Sequence, residues 1–252
     1  MTLPCRTTAS RSTIDLGAIT LPDTPELVLA ECHSALGIGE RLTITTIDDD
    51  RSPNRAECRE VDIDLVEGAG FEITARTRVR IRAIRAAMLP DTVGPRTRLL
   101  VVGLNPGTHS TAKGFAFAGP GNRFWPAAVA AGLTVHPHDP VAAAREDGLA
   151  LTNLVRRTTA RAAELSASEY RSGVPRLGRL VARVRPGVVC FVGLAGYRAA
   201  FSANADAGRQ PESIAGSPVY VMPSTSGLNA RTPLAALVEH FRAADALVAA
   251  RP

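Results

Sequence analysis

Lysine is all but missing from this 252-residue chain: Lys113 is the single one, and the other 28 basic side chains are arginines. Aromatic residues are also scarce, at 4% with one tryptophan, so a stretch that concentrates them stands out. The four cysteines (Cys5, Cys32, Cys58 and Cys190) are scattered without a CxxC pair or a histidine cluster. That spacing predicts reduced thiols and argues against a disulfide framework, a zinc site or an iron–sulfur cluster. No apolar run approaches the roughly 18 residues that a membrane-crossing helix needs. Residues 1–20 carry Arg6, Arg11 and Asp15 without a hydrophobic block, so no secretory leader is expected and the expected setting is the cytoplasm. With 45% hydrophobic and 21% charged residues, neither general disorder nor a collagen-like repeat fits. The length suits one large domain, alone or with a smaller annex.

The charge becomes informative once divided. Residues 1–75 hold 6 arginines against 14 acidic residues, a net of −8, whereas residues 76–252 hold 23 basic against 10 acidic residues, a net of +13. A basic carboxy-terminal two-thirds suggests a polyanionic partner, of which nucleic acid is the commonest.

The expected organisation is a loose amino terminus over 1–20, an α+β annex over 21–95 and a larger domain over 96–252. In the annex, PELVLAECHSA at 25–35 reads as a short helix with Leu27, Leu29 and Ala30 on its apolar side. RLTITTI at 41–47 alternates in the β manner and is closed by Asp48, Asp49 and Asp50. Residues 62–69 read as helix and 70–74 as strand. Arg76, Arg78, Arg80 and Arg82 then alternate, followed by Arg85, which fits either an edge strand with one basic face or the start of a helix. LPDTVGP at 89–95 is the boundary signal.

Beyond it, RLLVVGL at 98–104 is a continuous apolar strand, as a sheet buried on both faces requires. Residues 149–152, 188–192 and 219–222 are further apolar runs. Between them, Ser166 and Glu169 form a capping-box pattern, with Leu177, Leu180, Val181 and Val184 on one helix face. Thr232-Pro233 opens a last helix carrying Leu234, Leu237, Val238 and Phe241 on one stripe. The alternation predicts a three-layer α/β/α domain around a short parallel sheet. Ligands in such sheets bind at the carboxyl ends of strands, which points to the residues after Leu104, Thr152 and Met222.

The loop after the first of these strands contains GLNPG at 103–107, runs through Lys113 and Phe117, and ends in GPGNRFW at 119–125. Taken alone, a Gly/Pro-rich turn can be only a tight connection, but this one gathers aromatics and the sole Trp125. The loop after the last strand reads MPSTSGLNAR at 222–231, rich in hydroxyl donors suited to phosphate, with Leu228 at its tip. TNLVRRTT occupies 152–159. These segments, in this order and spacing, resemble the motifs of the mismatch-specific uracil/thymine-DNA glycosylases of the uracil-DNA glycosylase superfamily, over roughly residues 97–250.

That resemblance implies a DNA repair enzyme that flips a damaged base out of the duplex. The substrate implied is uracil, with thymine or related lesions as further candidates, opposite guanine in double-stranded DNA. Asn105 is implied to position the attacking water. Phe117 is implied to stack on the base, with the Gly107 backbone and Asn153 bonding its edge and Leu104 and Thr159 shaping the pocket. Leu228 is implied to plug the hole in the duplex, while Ser110, Ser224, Ser226, Gly227 and Arg231 contact DNA. No carboxylate lies between Gly103 and Trp125 to serve as a base. A strand-cleaving glycosylase needs an amine for a Schiff base, and Lys113 stands on the flanking loop, so a monofunctional enzyme leaving an abasic site is expected. No cofactor or metal is implied, and a monomer is expected.

Alternatives within the same framework are action on single-stranded DNA or on another deaminated base. From a different class, the alternative is a catalytically silent lesion-binding protein. His136-Pro137-His138-Asp139 reads as a solvated turn, His109 as an exposed loop residue or a phosphate contact, Cys190 as a buried small hydrophobe, and Phe124 and Trp125 as core anchors. Residues 36–44 and 65–73 resemble the last strands of a class I methyltransferase sheet, without the Gly-rich loop that would hold its cofactor. The net −8 of residues 1–75 argues against DNA binding there and suggests shielding or mimicry of DNA instead.

Overall fold

The computed structural model describes residues 6–8, 11–15, 24–45, 63–77 and 80–249. The chain divides into two compact units, Met1–Asp91 and Thr92–Pro252. Cys5, Cys58 and the Asp48–Asp50 run lie outside the described residues.

In the first unit, strands β1 (Arg6–Thr8), β2 (Arg11–Asp15), β3 (Arg41–Thr45), β4 (Phe71–Arg76) and β5 (Arg80–Arg85) form one sheet in the order β1-β2-β3-β5-β4. Helix α1 (Pro25–Ala35) starts where expected, with Thr24 Oγ1 accepting from Leu27 N at 3.3 Å and proline in its first turn. A second helix, α2, covers residues 63–68. Strand periodicity sends Leu42, Ile44, Ile81 and Ala83 to one face, where they join Val28, Leu29, Val66 and Phe71 in a buried cluster. Two expectations change here. The amino-terminal segment expected to be loose supplies two short strands, with β2 pairing parallel to β3. Of the arginine-rich stretch, Arg76 ends β4 and Arg80, Arg82 and Arg85 lie on β5, an interior strand paired with both β3 and β4, while Arg78 lies outside the described residues.

The second unit is a mixed α/β layer structure. Its strands are β6 (Leu99–Gly103), β7 (Leu149–Asn153), β8 (Val188–Val192), β9 (Gly208–Ile214) and β10 (Ser217–Met222), ordered β7-β6-β8-β10-β9. Every residue of β6, β7 and β8 is buried, which explains their unbroken apolar character. Pairing is parallel except at β9, which runs antiparallel to β10 at the edge. The sheet is therefore mostly rather than wholly parallel. Helices α4 (Phe124–Ala130) and α8 (Leu234–Ala249) contribute to the cluster on one face, with α6 (Ala167–Val184) and α7 (Leu194–Ala200) in the cluster on the other. The helices α3 (Thr108–Lys113) and α5 (Pro140–Glu146) connect β6 to β7. The capping box at Ser166 and Glu169 is present, and Leu177, Leu180 and Val181 are buried as expected. On α8 the stripe is narrower than expected, because Leu234 is exposed while Leu237, Val238 and Phe241 are buried.

Strand connections leave β6 toward β7 on one side, with β8 on its other side. The carboxyl ends of β6 and β8 thus flank the point at which an open α/β sheet binds its ligand, and the GLNPG loop begins there.

Candidate active site

Asn105 is fixed by its amide nitrogen. Nδ2 donates to the carbonyls of Pro106 (3.1 Å) and Arg157 (3.0 Å) and to Thr159 Oγ1 (2.7 Å). The Thr159 hydroxyl passes its own hydrogen to the Arg161 carbonyl at 3.0 Å, so toward Asn105 it acts as acceptor. Turning the carboxamide over would set Oδ1 against two carbonyl oxygens, so the network allows one orientation. Oδ1 is left accepting no hydrogen bond among the described residues. The backbone around it is braced by Thr159 N to Pro106 O (3.1 Å) and Thr108 N to Thr159 O (3.2 Å).

Two residues before Asn105, the side chains of Asn153 and Phe117 converge on Gly103. At Gly103 a Cβ would sit 2.7 Å from Asn153 Oδ1 and 3.5 Å from Phe117 Cζ, so only glycine lets both side chains approach the strand end. Asn153 is Gly103's register partner on β7, and its carboxamide has no hydrogen-bond partner among the described residues. The Gly107 N–H likewise has no acceptor among them. Phe117 stacks on Phe124 with centroids 4.0 Å apart and planes within 12°, and Phe124 meets Trp125 and Phe241 edge-on. Phe117 adopts φ +60°, a left-handed conformation costing about 1–3 kcal/mol for a bulky residue. Trp125 Nε1 donates to Ala116 O (3.0 Å) and Ala118 N donates to Ser110 Oγ (3.1 Å). Two such bonds at about 1 kcal/mol each and a ring stack of about 0.5–1.5 kcal/mol are enough to hold it.

The second loop is a braced finger. Leu228 at its tip is 94% exposed. Behind it, the half-buried Arg123 donates to three carbonyls, those of Ser226 (3.2 Å), Asn229 (2.6 Å) and Thr232, while its N–H bonds Thr225 O (2.9 Å). Asn229 Nδ2 adds bonds to Ser224 O (2.8 Å) and Thr232 Oγ1 (3.1 Å). Ser224 and Ser226 hydroxyls accept from Ser226 N (3.2 Å) and Leu228 N (3.3 Å), which leaves their O–H groups to donate elsewhere. Gly227 lies over Gly121, where a Cβ would come within 3.0 Å of the Gly121 carbonyl. Gly227 and Arg231 are exposed.

These loops stand in a domain that a family model describes directly: the Uracil DNA glycosylase superfamily model matches residues 90–245, more than half of the chain. The chain belongs to the uracil DNA glycosylase superfamily. Membership carries DNA glycosylase chemistry, hydrolysis of the bond between a base and its sugar, with DNA as the partner.

Within this glycosylase domain some expected site residues stand elsewhere. Ser110 is 6% exposed and its hydroxyl accepts from Ala118 N, beside Phe117. Leu104 turns to the opposite face of the sheet from Phe117, joining the cluster around α6 and α7 and lying 3.6 Å from a Gly193 Cβ position. Thr159 is buried, its hydroxyl accepting from Asn105 Nδ2 and donating to the Arg161 carbonyl.

Three arginines were not expected from the sequence. Besides Arg123, Arg176 on α6 bonds Thr152 Oγ1 (3.1 Å) and Asn153 O (2.6 Å), fixing the end of β7. Arg157 offers its carbonyl to Asn105, and its side chain pairs with Glu169 at 2.8 Å. That bond, with the Ser166 backbone N–H next, holds the Glu169 carboxyl at about 2. The only advance signal for Arg123 and Arg157 was their place inside GPGNRFW and TNLVRRTT.

His136 pairs with Glu146 at 2.9 Å, His138 packs on Phe115 and Trp125, and Asp139 caps α5. Burial pushes the Cys190 thiol up to about 12, so it is an inert apolar group on β8. His109 and Lys113 are exposed. Among the described residues no group of three or more His, Cys, Asp or Glu could hold a metal ion, and no helix is long and apolar enough to cross a membrane.

Proposed function

We propose that this chain is a monofunctional, mismatch-specific uracil-DNA glycosylase, acting on uracil opposite guanine in duplex DNA and leaving an abasic site. The observation that carries the reading is the orientation of the Asn105 carboxamide. With Nδ2 bound to Thr159 and two carbonyls, Oδ1 is held as an acceptor for one water hydrogen. A water so held can attack the anomeric carbon as the glycosidic bond loosens. That reaction develops oxocarbenium character in the sugar, so placing the water matters more than removing its proton. The flipped base would lie on the free face of Phe117, with the Gly107 N–H and the Asn153 carboxamide meeting its polar edge. Leu228 would fill the vacated stack, and Ser224, Ser226, Gly227 and Arg231 would meet flanking phosphates. Water hydrolysis needs no amine, in keeping with the single exposed lysine, Lys113. We read residues 21–95 as a methyltransferase-like remnant without cofactor; the stretches that suggested it lie on β3, α2 and β4.

The test is base release from a labelled duplex with one G·U pair, beside A·U, G·T and single-stranded uracil, with alkali added afterwards. Strand breaks only after alkali, strongest on G·U, are expected, together with loss of release but retained duplex binding in Asn105→Ala. Full activity in that variant would overturn the water-positioning role. Binding without release on every substrate would favour a lesion reader.

A further inference from the structure

Among the described residues, the annex sheet has one face with a core and one without. Helices α1 and α2 belong to the buried cluster of Leu42, Ile44, Ile81 and Ala83. The opposite face is an open groove of about 710 Å³ whose lining includes Arg41, Arg80 and Arg82 with Thr43 and Thr45. The register sets Thr43 opposite Arg82 and Thr45 opposite Arg80, so guanidinium and hydroxyl groups face each other row by row. At the end of the β4–β5 hairpin a second hollow of about 330 Å³ brings Arg76 beside Arg80 and Arg82. All four arginines are exposed, and none has a side-chain hydrogen bond or ion pair among the described residues. Glu72, opposite Ile84, is the one acidic side chain described on this face.

The acids that make this region's net charge negative include Glu26 and Glu31 on α1 and Asp64 and Glu67 on α2, on the helical side of the sheet. The net of −8 counts residues 1–75 and so leaves out Arg76, Arg80 and Arg82, which with Arg41 make this face cationic. Free guanidiniums beside hydroxyls are phosphate-backbone ligands. The groove's lining contains no aromatic side chain, so it offers no platform on which unpaired bases could stack. We propose that this face binds the phosphodiester backbone of duplex DNA as a sequence-independent anchor for the glycosylase. The proposal rests on the superfamily's action on DNA, and not on the base preferred or on the role of Asn105.

The experiment uses the full chain and a labelled lesion-free duplex, titrated by fluorescence anisotropy from 50 to 300 mM NaCl. Three phosphate contacts at about 0.9 each in the log–log salt slope predict that the triple variant Arg41→Gln, Arg80→Gln, Arg82→Gln loses roughly 2.7 from that slope, with affinity at 0.1 M salt falling on the order of a hundredfold. The triple Lys variant should keep the slope, because it keeps the charge. Base release from a short uracil duplex at saturating enzyme should be unchanged in both, so a failed glycosylase assignment would show there and not in the salt slope. An unaltered slope in the Gln variant overturns the proposal, as does equal loss in the Lys variant. A larger loss on single-stranded DNA than on duplex also overturns it. So does an unaltered DNA slope combined with Arg-dependent binding of polyglutamate, which would assign the face to an acidic protein.

Discussion

Asn105 has the same atoms as any surface asparagine; what distinguishes it is that one end of its amide is bound three times and the other, among the described residues, not at all. Thr159 gives the shortest of the three contacts, its hydroxyl accepting from Nδ2 while giving its hydrogen to Arg161 O. Thr159→Val keeps the shape and removes that contact, leaving the two carbonyls to hold the amide. Base release should slow by roughly 10- to 100-fold with KM for duplex nearly unchanged, and folding stability should drop by about 1–2 kcal/mol as a buried donor is lost. Thr159→Ser should recover most of the rate. A wild-type rate in the Val variant would detach Thr159 from catalysis. Thr159 was visible in the sequence as part of TNLVRRTT, but its task was not, because the bond to Asn105 spans 54 residues. The environment of Ser110 was not legible either, because its burial and its bond from Ala118 N depend on how the loop folds back. Leu104 is likewise inside the motif yet packs on the far face of the sheet.

At the scale of elements, legibility follows burial and local chemistry. β8 and the Ser166 cap could be read because unbroken apolar runs and a reciprocal cap are written in neighbouring residues. β9 could not: GRQPESI is an edge strand with a proline and mostly exposed positions, so it carries neither alternation nor an apolar run. The finger loop is intermediate. Its exposed Leu228 was legible as a tip, but the Arg123 brace was not, since arginine in a basic domain reads as a surface charge. Three carbonyls on one guanidinium make the finger a rigid unit. Arg123→Met should therefore resemble Leu228→Ala, lowering release from duplex about tenfold while changing release from single-stranded uracil little. The double variant should lose scarcely more than either single one, because residues acting as one unit are not additive. Full additivity in a double-mutant cycle would show that the brace and the wedge act separately.

At the scale of the molecule, the two units have separate hydrophobic clusters: one gathers around Leu42, Ile44 and Phe71, while the glycosylase clusters lie on either face of the β7-β6-β8-β10-β9 sheet. No buried residue of the annex cluster belongs to either of the others. Asn105 and its supports all come from the second unit, so the energetics of the annex core should be separable from the chemistry. Leu42 is 1% exposed, and Leu42→Ala should cost the annex about 2–5 kcal/mol, the range for a buried leucine in a packed core. Hydrogen exchange should then show faster opening of β3 and β5 amides, with β6, β7 and β8 keeping wild-type protection. Base release from a short uracil duplex should remain within about twofold of wild type. Non-specific duplex affinity should fall with the annex, because the arginine face exists only while β3 and β5 are paired. A parallel loss of protection in β6 and of base release would instead make the two units one cooperative structure, with the annex supporting the catalytic loop.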